Sequence, residues 1–161
     1  MNLYIKQAIF TWGDRFSIYD ESGAEKYYVE GEILTFGKKL HLYDMAGNEL
    51  AYIEQQLFTF LPKYLIFING EEYAEVTKEF TFFCHEYTVD GQGMSRPWSV
   101  QGDFWDHDYD VLDGDRVVAS VEKEWFTFGD AYEITIADNS DLIPALAVVL
   151  VIDACIDAQR N

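Results

Sequence analysis

Apolar and polar residues alternate along most of this chain, and the alternation stops only near its end. Lys39-Leu40-His41-Leu42 shows the two-residue period, as do Val117, Ala119 and Val121 after Asp113-Gly114, and Tyr132, Ile134 and Ile136 further on. That period puts one face of a strand in water and the other in a core. The strands are punctuated by Asp-x-x-Gly and Asn-Gly, which supply the positive φ that tight hairpin turns need. Counting these turns predicts about a dozen short strands, at the spacing of an all-β sandwich or barrel.

A loose repeat runs through the pattern: a turn, an alternating strand, then an aromatic segment with Thr-Phe. Tyr19-Asp20-Glu21-Ser22-Gly23 leads to Thr35-Phe36, and Tyr43-Asp44-Met45-Ala46-Gly47 leads to Thr59-Phe60. Asn69-Gly70 leads to Thr81-Phe82, and Tyr109 to Gly114 leads to Thr127-Phe128. Each copy reads as one hairpin.

Leu142 to Ile152 (LIPALAVVLVI) breaks the pattern, because it is apolar on every side. Ser140 or Asp141 is placed to cap it, Pro144 suits a first helical turn, and polar residues from Asp157 to Asn161 end it. The run covers about 15 residues to Ile156 and then carries charge, whereas a membrane span takes roughly 20. It predicts a buried helix with Leu146, Val149, Leu150 and Ile152 in its core, enclosed by the strands.

Composition changes this picture only at the surface. With 49% apolar and 17% aromatic residues the chain is expected to fold as one domain over 1–161, so its charge lies on the outside of a packed body. That charge is −18, from 29 Asp and Glu against 11 Lys and Arg, with no basic run longer than Lys38-Lys39. Phosphate recognition needs clustered basic residues, so nucleic acid is excluded as a partner and anionic membrane surfaces are disfavoured. Cys84 and Cys155 fall in apolar surroundings and read as reduced, buried thiols of a cytoplasmic protein. The N-terminus lacks the basic and apolar regions of a signal peptide.

Candidate chemistry is sparse. Asp103, Asp106, Asp108, Asp110, Asp113 and Asp115 form the densest acidic cluster, and Asp106, Asp108 and Asp110 are the candidate ligands for a hard cation such as Ca²⁺. Val111 stands where an EF-hand loop needs glycine, and alternation puts the three aspartates in a flat row along a strand. The row reads better as a solvated face than as a metal site. Trp105, His107 and Tyr109 are then expected on the opposite, inward face. His41, His85 and His107 are in no zinc-binding spacing and read as structural histidines. Cys84 and His85 point to opposite faces of a strand and cannot pair for catalysis. Gly91-Gln92-Gly93 lacks the third glycine and following helix of a phosphate loop, and reads as a turn. Trp98, Trp105, Trp125 and Phe126 either fill the core or line a ligand pocket. No catalytic residue and no cofactor is expected.

Several segments together resemble the LURP-one-related family of the tubby C-terminal-like superfamily, which also holds the phospholipid scramblases. They are Phe16-Ser17-Ile18-Tyr19-Asp20, Gly102-Asp103-Phe104 with Tyr109-Asp110, Val118 to Trp125, Gly129-Asp130-Ala131-Tyr132-Glu133-Ile134 and Ala145 to Asp153. The likeness spans nearly the whole chain and is greatest to the short bacterial members, of the YxjI type. It implies a mostly β fold, about twelve antiparallel strands closed around the C-terminal helix. It supplies no catalytic set to carry over. Tubby proteins bind phosphoinositides through basic residues, of which this chain has few.

The expected function is therefore a non-enzymatic cytoplasmic binding or scaffold module for an unidentified protein or small ligand. One alternative is a peripheral phosphoinositide- or lipid-binding protein like tubby, and another a metal-dependent enzyme using the Asp103–Asp115 cluster. A helix that fills the barrel leaves little room inside, so binding is expected on the outer surface.

Overall fold

The computed structural model describes residues 1–6, 15–32, 36–79, 86–124 and 131–160. Twelve strands precede one helix: β1 (Asn2–Lys6), β2 (Arg15–Asp20), β3 (Glu25–Gly31), β4 (Lys39–Asp44), β5 (Glu49–Gln55), β6 (Lys63–Ile68), β7 (Glu71–Glu79), β8 (Glu86–Asp90), β9 (Trp98–Asp103), β10 (Asp108–Asp113), β11 (Arg116–Glu124), β12 (Ala131–Ile136) and α1 (Leu142–Arg160). Each strand pairs antiparallel with its sequence neighbours, and β1 closes the barrel on β12 with Leu3 opposite Ile134. Closure leaves no free sheet edge, so every interior strand face turns toward one enclosed space.

The helix fills that space. Ala145 to Ile152 are each at most 1% exposed, so no side of the helix reaches water over more than two turns. Leu3, Ile18, Val29, Leu42, Ile53, Ile66, Val100 and Ile134 meet it from the strands. Full burial of each large aliphatic side chain contributes roughly 1.5–3 kcal/mol. The expected core residues Leu146, Val149, Leu150 and Ile152 all lie in this contact.

The repeat has a structural form. Gly23, Gly47, Gly70 and Gly114 adopt φ between 61° and 86° in the turns after β2, β4, β6 and β10. Beside each turn the strand register slips at a bulge, after Ile18, Leu42, Ile66 and Val111. In the first two, one aspartate organises the turn: Asp20 Oδ1 accepts from the backbone N–H of Ser22 and Ala24, and Asp44 Oδ1 from those of Ala46 and Asn48. Turns of this kind lie at one end of the barrel, where α1 begins. Phe36 and Thr59-Phe60 belong to the opposite end, where both phenylalanines stand exposed. Thr35, Thr81-Phe82 and Thr127-Phe128 lie outside the described residues.

Two local expectations are corrected. Val117 is 42% exposed while Val118 and Ala119 are both buried, because the bulge opposite Val111 and Leu112 puts one extra residue into β11 and resets its alternation. The expected cap residues Ser140 and Asp141 lie within a 3₁₀ turn that precedes the helix. Asp138 accepts from Ser140 N, opening a 3₁₀ turn over Asn139–Asp141 that runs into α1.

Replacing Val149 or Leu150 with Asp puts a carboxylate where neither water nor a partner can reach it, and the cost is expected to exceed about 4 kcal/mol. Soluble yield and circular dichroism should show loss of the folded state. A variant that remained soluble with an unchanged melting temperature would place this helix outside the barrel.

Candidate functional site

The outer faces of β2 to β6 carry aromatic side chains where alternation leads one to expect only small polar groups. The cause is register. Arg15 lies opposite Glu30, Glu30 opposite His41, His41 opposite Tyr52, Tyr52 opposite Phe67, and Phe67 opposite Glu72. One row lower, Ser17 pairs with Tyr28, Tyr28 with Tyr43, and Tyr43 with Glu49. Since Val29, Leu40, Leu42, Ala51, Ile53 and Ile66 point inward, these partners share the outer surface.

The rings touch in sequence. Tyr28 and Tyr43 stack with centroids 5.0 Å apart, His41 lies 4.9 Å from Tyr52, and Tyr52 lies 5.7 Å from Phe67. His41, Glu49, Leu50, Tyr52, Glu54 and Phe67 line a groove of about 570 Å³ here. At the stripe's edge the Arg15 guanidinium carbon sits 3.9 Å from the Tyr28 ring centroid, while Arg15 Nη2 reaches Glu25 Oε1 at 3.3 Å.

His41 is clamped between carboxylates. Its Nε2 lies 2.8 Å from Glu32 Oε1 and its Nδ1 3.0 Å from Glu49 Oε1. Only the imidazolium has a donor at both ring nitrogens, so this geometry selects the charged ring. Burial opposes that charge, but the bonds to Glu32 and Glu49 outweigh it and raise the pKa of His41 above its ordinary 6.5. Burial, and then the charge of Glu54, push the Tyr52 hydroxyl up to about 12, so it remains a neutral donor. A ring that holds its proton and a phenol that keeps its own are poor bases. The arrangement offers negative charge beside aromatic faces, which attracts cations.

The acidic cluster does not converge. Asp106 lies in the turn Phe104–His107 between β9 and β10, not in a strand row with Asp108 and Asp110 as expected, because β10 begins only at Asp108. Asp110 accepts from Ser120 Oγ at 2.6 Å. Asp113, at the other end of the barrel, is bound by Arg116 and Arg96, which hold its carboxyl below the usual range. Asp103 takes the backbone N–H of Asp106, and Asp115 is exposed. Among the described residues no three His, Cys, Asp or Glu side chains gather as a metal would require.

The same turn corrects the reading of Trp105, His107 and Tyr109 as one inward face. Trp105 is 45% exposed, and Phe104 turns inward instead, its ring edge-on to Tyr87 at 4.9 Å. His107, at φ 52°, is buried and stacks on Tyr132 with 4.7 Å between centroids. Its Nδ1 lies 3.8 Å from Asp153 Oδ1, and Tyr132 Oη donates to Asp153 Oδ2. Tyr64, Tyr87, Tyr109 and Tyr132, from every second strand, thus surround the last turns of α1. Cys155 lies among them, its thiol pushed up to about 11 by burial and therefore unreactive. Trp98 is buried, whereas Cys84, His85, Trp125 and Phe126 lie outside the described residues.

Gly91 and Gly93 are packing positions. A Cβ on Gly91 would come within 2.5 Å of the Ala74 backbone, and one on Gly93 within 2.3 Å of the Tyr73 ring. Gly93 N also donates to Tyr73 O, so this loop seals against β7.

The clamp makes a pH-dependent contribution to stability. Because the folded-state pKa of His41 exceeds its unfolded value, the stabilisation is complete below about pH 6.5 and is lost as pH rises through the folded value. Thermal or urea unfolding of His41→Gln should show a deficit of about 1 kcal/mol near pH 6 that closes as pH rises through the folded value. A deficit independent of pH would mean that the ring is neutral.

Three comparisons bear on this architecture. Over 153 residues the chain is 36% identical to the uncharacterized protein YxjI of Bacillus subtilis, covering 95% of this chain and 92% of that one. A crystal structure of an Arabidopsis thaliana protein superposes with a TM-score of 0.68 at 15% identity, over 95% of this chain and 90% of that one, and so shares the fold. The family model described as LURP-one-related matches residues 1–153, and with a closed twelve-stranded barrel around a C-terminal helix this chain belongs to the LURP-one-related family.

Proposed function

We propose that this protein is a non-enzymatic binding module of the cytoplasm whose outer groove over β4 to β6 takes a cationic partner, an extended segment bearing arginine or lysine. The observation that carries this reading is Arg15, which already rests on Tyr28 and reaches Glu25. It displays how a guanidinium seats on this surface, with an aromatic face below and a carboxylate alongside. Tyr52 and Phe67, flanked by Glu49 and Glu54, repeat that combination in the groove, with the His41 imidazolium already beside Tyr52. The net charge of −18 adds long-range attraction for basic partners and repels anionic ones.

Isothermal calorimetry with an arginine-rich peptide tests it, using a peptide of the same length with glutamate at the arginines as control. Binding of the first alone is expected, weakening with salt and falling about tenfold in Tyr52→Ala with Phe67→Ala. Both side chains are half-buried on the outer face, so the folded barrel should persist in the double variant. Absence of binding, or binding indifferent to the two substitutions, would overturn the assignment.

A further inference from the structure

The barrel end where α1 finishes carries exposed apolar side chains. Phe36 to Lys38 before β4, Gln56 to Pro62 between β5 and β6, and the Phe104–His107 turn lie at this end of the up-and-down barrel. Phe36, Phe58 and Phe60 are 91%, 105% and 100% exposed, and Leu57 and Trp105 are 43% and 45% exposed. Hiding any of the three phenylalanines would stabilise the chain, yet they stand clear of it.

Their loops are held in place. Lys38 N donates to Gln55 Oε1 at 3.0 Å, Gln55 N donates to Lys38 O at 2.8 Å, and Lys38 Nζ reaches Ala154 O of α1 at 2.9 Å. Gly37, at φ 80°, packs so closely under Leu57 that a Cβ would sit 2.9 Å from Leu57 Cδ2. Phe58 itself has φ 61°, a left-handed conformation that costs a bulky residue energy. Two adjacent loops are thus locked together with three phenyl rings directed outward.

The positive charge is unevenly placed as well. Lys6, Lys39, Lys63, Lys78 and Lys123 lie at or near strand termini of this end, whereas the tight-turn end has Lys26, Arg96 and Arg116. Carboxylates are shared between the two ends. Exposed aromatic tips with long lysine stems behind them suit the depth profile of a lipid surface, apolar beneath and phosphate above. A second copy of this chain is a poor occupant, because two bodies of charge −18 repel and isolated tips offer no complementary groove.

We infer that this aromatic end is a membrane-docking face, entering the interface of a zwitterionic phospholipid bilayer through Phe36, Phe58 and Phe60. Insertion of the rings supplies the attraction, so anionic lipid is not required and no particular headgroup is selected. The face is separate from the outer groove, and the inference does not rest on the proposal made for it.

Flotation with vesicles of phosphatidylcholine alone tests this, comparing the wild type with Phe36→Ser, Phe58→Ser and Phe60→Ser singly and together. The wild type should float with the vesicles, and the partition coefficient should fall about tenfold for each ring removed and change little with salt. The sites are exposed, so circular dichroism and melting temperature should be preserved in every variant. The inference is overturned if the wild type does not float or if the triple variant floats equally well. It also fails if binding requires anionic lipid and vanishes with salt, or if sedimentation equilibrium shows a wild-type dimer that the triple variant dissociates.

Discussion

The structure depends on one constraint, that a helix apolar around its whole circumference must be kept from water on every side. A flat sheet covers one side of a helix and a sandwich has no place for one, whereas a closed barrel surrounds it. Closure in turn requires β1 to reach β12, which the Leu3–Ile134 register achieves. The inward residues of the strands are then chosen for size against the helix. Enclosure also shuts Ala145 to Ile152 off from water on every side.

Among the described residues, polar contacts inside the barrel gather around the last turns of the helix. There Tyr132 supplies a hydroxyl to Asp153, His107 stacks on Tyr132, and Lys38 takes up the carbonyl of Ala154. These contacts satisfy groups that the helix end would otherwise leave bare, and a lysine at a helix C-terminus is favoured by the helix dipole as well. They also couple the helix to the β3–β4 connection and the Phe104–His107 turn. The same end therefore holds buried polar contacts inside and, among the described residues, the most exposed aromatic rings outside.

The two ends of the barrel solve different problems. At one, positive-φ glycines, aspartate-held turns and adjacent bulges reverse the chain with few residues. At the other, longer connections carry apolar residues that a purely structural turn would avoid. Between them the outer face of β2 to β6 joins aromatic rings to carboxylates, with His41 charged so that Glu32 and Glu49 can approach one another. An acidic surface that sets carboxylates beside aromatic faces follows from that pairing.

Much of this was legible in the residues. Period two, Asp-x-x-Gly and Asn-Gly specify hairpins through local sterics, and an unbroken apolar run specifies burial through hydration, since neither needs a distant partner to be recognised. Even so, the alternation misjudged Val117, because a bulge is decided by the fit between two strands. It also misplaced Asp106 and Trp105, because the turn Phe104–His107 carries no glycine to announce it. The groove was the hardest to foresee. Tyr28, His41, Tyr52 and Phe67 are spread along the chain and meet only through pairing register, just as Lys38 meets Ala154 only through closure. The sequence by itself determined which segments turn, which alternate and which must be hidden, because those follow from backbone sterics and hydration. The tertiary structure alone decided which side chains become neighbours, because that depends on how twelve strands are registered around one helix.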